Sequence, residues 1–155
     1  MKIIITSESG ATQGRLNNIL TGIPGVEVVA QANDIEETIE LLDSLKPEVV
    51  IFYPHKTSQS MFNKLKEIKN VQAHPDVIIL NDNSLTERVS PWHESGADYV
   101  FDSLSQVNNM VDLLCELLYT QKFEEMQLYT ANNNKCGPAN SSNRNNRAAK
   151  INKSN

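Results

Sequence analysis

Five short apolar runs recur along the first hundred or so residues. They are Ile3, Ile4 and Ile5 within residues 2–6, residues 26–32 interrupted only by Glu27 and Gln31, residues 49–53, Val77 to Leu80 after Asp76, and a last run inside residues 96–102. Apolar runs this short, without polar alternation, read as strands covered on both faces. Between them apolar residues return at helical intervals: Leu16, Ile19 and Leu20 within residues 12–20, then Ile35, Ile39, Leu42 and Leu45, then Met61, Leu65 and Ile68. Strands alternating with amphipathic helices predict an α/β chain whose parallel sheet carries helices on both sides.

The middle run organises the rest. Pro47 and Pro54 bracket residues 49–53, so this strand follows a helix end at Leu45 and Lys46 and stops at Tyr53. Open α/β sheets hold ligands beyond the carboxyl ends of their strands. Tyr53 is therefore the residue whose chemistry matters most.

Local punctuation supports the same division. Gly22, Pro24 and Gly25 end the first helix, and Asn33 with Glu36 has the spacing of a capping box for the second. After a polar loop at residues 55–59 comes the third helix. Ser84 with Glu87 forms a full capping box for the fourth, yet Pro91 cannot donate a helical hydrogen bond, so that helix is expected to be short, kinked or split at Ser90 and Pro91. Ser103 or Ser105 can cap the fifth, whose stripe of Val107, Met110, Val111, Leu114, Leu117 and Leu118 continues through Phe123 and Met126. From Ala131 onward Asn, Ser, Lys and Arg dominate, the composition of a disordered tail.

Length and charge refine this picture. A chain of 155 residues is expected to fold as one domain with a sizeable core. The expected layout is a domain over residues 1–122, a helical extension over 123–130, and a basic tail over 131–155. Five of the 14 Lys and Arg residues and none of the 19 acids follow Ala131, leaving a body of net charge −10. Five dispersed charges with no aromatic residue after Tyr129 make a weak nucleic-acid footprint, which the acidic body opposes, so nucleic acid is not an expected partner. No apolar run of membrane-spanning length and no leader pattern is present, so a cytoplasmic location is expected. Cys115 and Cys136 lack metal-ligand spacing, and Cys115 reads as a small apolar helix residue. His55, His74 and His93 read as surface side chains in separate loops.

Lys46-Pro-Glu-Val-Val-Ile-Phe before and within the third strand, Asp76-Val-Ile-Ile-Leu at the fourth, and Glu94-Ser-Gly-Ala-Asp-Tyr-Val-Phe-Asp at the fifth resemble the receiver domains of bacterial response regulators, the chemotaxis receivers among them. The resemblance covers residues 2–118. It implies a flavodoxin-like, doubly wound five-stranded parallel sheet in the order 2-1-3-4-5, here with an extended last helix. A working receiver takes a phosphoryl group onto an aspartate ending the third strand. An acidic pair after the first strand holds Mg²⁺, a Ser or Thr ends the fourth, and a Lys follows the fifth. The carboxylate is the nucleophile, and the metal and lysine offset charge on the transferred group.

The resemblance puts Ser7 and Glu8 at the acidic pair, Tyr53 at the acceptor, Asn81 at the hydroxyl position and Ser103 at the lysine. A phenol ionises only near pH ~10 and cannot replace a carboxylate nucleophile. One remaining acid makes a poor Mg²⁺ site, so no metal is expected. The aromatic switch residue of a receiver corresponds to Val100. The implied protein is a degenerate pseudo-receiver that lacks the phosphoacceptor Asp: a non-enzymatic, phosphorylation-independent signalling adaptor that binds a protein partner.

Receivers commonly pair through the face built from the fourth helix, fifth strand and fifth helix. Here that face carries Leu85, Val89, Trp92, Tyr99, Phe101, Met110, Leu114 and Leu117, extended by Phe123 and Met126, and a homodimer through it is expected. Trp92 either anchors that contact or fills the core. Two other readings compete. Ser7-Glu-Ser-Gly-Ala-Thr12 has some likeness to the phosphate loop of FMN-binding flavodoxin-like electron carriers, although no cofactor is expected, and an atypical phosphotransfer receiver would use another acceptor.

Overall fold

A computed structural model of the chain describes residues 1–82, 90–103 and 105–135. The elements are β1 Lys2–Ser7, α1 Gly10–Thr21, β2 Glu27–Ala32, α2 Ile35–Leu45, β3 Val49–Tyr53, α3 Gln59–Asn70, β4 Asp76–Asn81, α4 Ser90–Glu94, β5 Tyr99–Asp102 and α5 Val107–Lys135. The five strands form one parallel sheet in the order β2-β1-β3-β4-β5, as expected. Residues Met1–Cys115 make one compact unit and Glu116–Asn155 a second, of which the later part of α5 is described. α5 reaches Lys135, so its last five residues occupy positions read from composition as tail.

Helix starts depart from expectation where side-chain caps compete. α1 begins at Gly10 because the Ser9 hydroxyl accepts from the Thr12 N–H at 3.3 Å. In α2 the cap is Asp34 and not Asn33: Asp34 Oδ1 accepts from the Glu37 N–H at 2.8 Å, and Glu37 Oε2 accepts from the Asn33 N–H at 2.8 Å. The box is thus one residue later, the register that buries Ile35. Ser58 caps α3. Ahead of α5, Asp102 Oδ1 accepts from the Ser105 N–H at 3.0 Å, while Ser103 is buried and serves elsewhere. The expected box at Ser84 and Glu87 lies outside the described residues, as do Leu85, Val89, Cys136 and the residues after Lys135.

Parallel pairing sends the side chains of paired residues to one face, and successive residues to opposite faces. Val50 and Phe52 of β3 join Val77 and Ile79 of β4 with Ile35, Leu42, Met61, Leu65 and Ile68 of α2 and α3 in one core layer. Val49, Ile51 and Tyr53 consequently face the α1 side, where Leu16 and Leu20 are buried. Trp92 is 1% exposed in the α2–α3 layer, its ring edge-on to Phe62 at 5.0 Å. Met110 and Leu114 are fully buried. These three therefore fill the core and cannot meet a partner, because apolar stripes of a covering helix are taken up by the sheet beneath. Cys115, expected to be a packing residue, is exposed, and His93 lies in α4, not in a loop.

Candidate functional site

The carboxyl ends of β1 and β3 meet where the strand order changes direction, with Ser7 beside Tyr53 in register. Ser103, one residue past β5, donates its backbone N–H to the Asn81 carbonyl at 2.9 Å, which holds it level with the end of β4. Tyr53 and Ser103 share the α1 side of the sheet, and their hydroxyl oxygens lie 3.4 Å apart. Ser103 is 3% exposed and Ser7 fully buried. Of the five expected positions, Tyr53 and Ser103 meet through their hydroxyls, Ser7 lies beside Tyr53 in register, and Asn81 joins them only through its backbone carbonyl.

Glu8 stands apart. It is exposed and borders a cavity of about 330 Å³ on the α2–α3 side, with Asp34, Glu36, Tyr53, His55, Lys56 and Lys64. Lys64 and Glu36 form an ion pair across its rim. The Tyr53 and His55 rings meet edge to face at 5.7 Å. Among the described residues no cluster of three His, Cys, Asp or Glu side chains is placed to hold a metal ion. Val100 packs against the α2–α3 core layer, whereas Tyr99 and Phe101 are half-buried on the opposite face.

The phosphate-loop reading of residues 7–12 meets a physical obstacle. Ser7 Oγ accepts from the Ser9 N–H at 3.2 Å, Ser9 Oγ from the Thr12 N–H, and the Ser9 carbonyl from the Gln13 N–H at 3.0 Å. Three backbone donors that could cradle a phosphate, those of Ser9, Thr12 and Gln13, are already engaged. Sequence reasoning missed Gln13, which is 8% exposed and whose Nε2 donates to the carbonyls of Ser7 (2.7 Å) and Ala32 (2.9 Å), pinning the ends of β1 and β2 to α1. A glutamine inside an Asn- and Gln-bearing helix gives no sequence signal of its own.

The class that this architecture defines is the response-regulator receiver fold. The isolated receiver domain of RcsB from Salmonella enterica serovar Typhimurium superposes with a TM-score of 0.66 at 19% identity, covering 77% of this chain and 88% of that one. The response regulator domain of Thermotoga maritima CheB gives 0.61 at 20% identity, over 77% and 94%. At these identities the likeness is one of fold. In sequence, the chain is 32% identical over 104 residues to protein-glutamate methylesterase/protein-glutamine glutaminase 4 of Hahella chejuensis, 67% of this chain and 24% of that protein. The chain spans less than half the length of each curated relative it matches. No protein family's model matches it. Among the described residues no helix is long and apolar enough to cross a membrane.

Proposed function

We propose that this receiver-fold chain acts as a signalling adaptor that works by protein binding, without taking up a phosphoryl group and without catalysing a reaction. The supporting observation is the side chain that ends β3: Tyr53, its hydroxyl 3.4 Å from that of Ser103. Acyl-phosphate chemistry needs a carboxylate nucleophile, a divalent cation and a positive charge at the transferred group. Tyr53 supplies no carboxylate, Ser7 removes half of the acidic pair, and Ser103 replaces the cation. Contacts with a partner, and between two copies, use the exposed apolar residues of α5: Tyr119 (73% exposed), Phe123 (53%), Met126 (68%) and Tyr129 (71%).

Incubation of the full chain with Mg²⁺ and acetyl phosphate, followed by intact-mass measurement, is expected to leave the mass unchanged. Tyr53→Asp alone is also expected to remain unlabelled, because the second acid and the lysine are still missing. A stable phosphoryl adduct on the parent chain would overturn the proposal in favour of an atypical phosphotransfer receiver. Affinity capture with the full chain and with a version ending at Gln121 is expected to recover the partner only with the former.

A further inference from the structure

Tyr53 borders two cavities of different chemistry. The larger one, described above, is rimmed by acids as well as bases. The smaller, on the α1 side, is lined by Thr12, Arg15, Tyr53 and Ser103, with Leu16, Leu80 and Val107 closing it. Its polar lining residues carry three hydroxyls and one guanidinium between them, and no acidic residue lines it among the described residues. Arg15 is exposed at its mouth and forms no ion pair among the described residues. The volume is about 40 Å³. A water molecule needs roughly 10–15 Å³ of such space, so the cavity holds about three water-sized groups, room for three of the four oxygens of a tetrahedral oxyanion.

We infer that this cavity is a reversible binding site for a small oxyanion of the phosphate or sulfate class, held by Arg15 and the hydroxyls of Thr12, Tyr53 and Ser103. Every group named can donate, and an anion lets all of them donate at once. Ser103 is the buried donor, aligned by its backbone bond to Asn81, and Arg15 supplies the charge at the mouth. The 3.4 Å separation of the Tyr53 and Ser103 hydroxyls is long for an O–H···O bond, so little is lost when both turn to an anion. The backbone N–H groups of Ser9, Thr12 and Gln13 take no part, since they are already engaged. The site stands whether or not the adaptor reading holds, because it involves no covalent step.

The test is a titration of the full chain with inorganic phosphate at constant ionic strength, followed by backbone amide resonances and thermal unfolding. Saturable shifts at Thr12 and Ser103 and a rise in Tm are expected, with sulfate acting alike and chloride inert. Arg15→Ala, on an exposed side chain, is expected to weaken binding by about tenfold or more, the worth of one charge-assisted hydrogen bond, and Ser103→Ala to do the same. Lys56→Ala, on the other cavity, is expected to leave it unchanged. Absence of saturable shifts, or equal binding by Arg15→Ala and the parent, would sink the inference. So would loss of binding in Lys56→Ala alone, since that moves the site to the larger cavity.

Discussion

Asp76 opens β4 half-buried, and burial holds its pKa above the ordinary carboxyl value of 3.8; the Asp98 carboxylate raises it further while Lys69 works against both. Lys69 is committed to Asp98 at 2.7 Å, and Asp98 in turn accepts from the Val77 N–H at 2.8 Å. A carboxyl whose folded pKa is raised binds more protons when folded than when unfolded. Its contribution to stability is therefore greatest below pH 3.8 and declines as pH rises through the raised value. Asp76→Asn is expected to raise the denaturation midpoint at neutral pH and to lose that decline, an outcome read from urea titrations across pH. Equal midpoints for parent and variant at pH ~7 would contradict it. The Gly-Ala-Asp turn was legible as sequence, but the reason for its glycine was not. Gly96 has φ +106°, and a Cβ there would meet Lys69 Cγ at 2.7 Å, a neighbour 27 positions away that no local reading supplies.

Among the elements, α4 shows most plainly where pattern reading stops. Pro91 marked a short or broken helix, and the described residues include only Ser90–Glu94. Whether its tryptophan faced solvent or core depended on contacts with α3, which lies far away in sequence. Trp92 proves to be the anchor of α4, edge-on to Phe62 and sealed from water. Trp92→Ala is expected to cost about 3–5 kcal/mol, the range for emptying a buried aromatic site. Circular dichroism during urea unfolding would measure the loss, and a cost below about 1 kcal/mol would mean the layer refills. By contrast, β3 was fully legible. Proline at each end and an unbroken apolar run set both its limits and its central place, and alternation alone assigns Val50 and Phe52 to one face and Tyr53 to the other.

For the molecule as a whole, the stripe of α5 divides into two chemically similar but physically different parts. Met110 and Leu114 are fully buried, whereas Phe123 and Met126 are largely exposed. Exposed aromatic and Met side chains on successive turns suit a helical partner surface. Under the proposed self-association, Phe123→Glu combined with Met126→Glu is expected to shift the sedimentation mass from dimer to monomer without loss of helix content. An unchanged mass would place any pairing elsewhere on the chain.

Strand number and parallel sense were legible in the sequence, because burial on both faces leaves a mark in the apolar runs of the central strands, whereas the strand order was legible only through the resemblance to receiver domains. Equally legible was the residue that ends β3, a tyrosine, whose phenol is not a carboxylate wherever it points. The converging groups were another matter. Arg15 and Thr12 reach Tyr53 and Ser103 only through the packing of α1 on the sheet, across 38 and more positions of sequence. Their spacing within the helix is ordinary, and only the fold turns it into a common lining. In the same way, one apolar stripe divides into buried Met110 and Leu114 and exposed Phe123 and Met126, and a heptad-like pattern carries no record of which of them is covered.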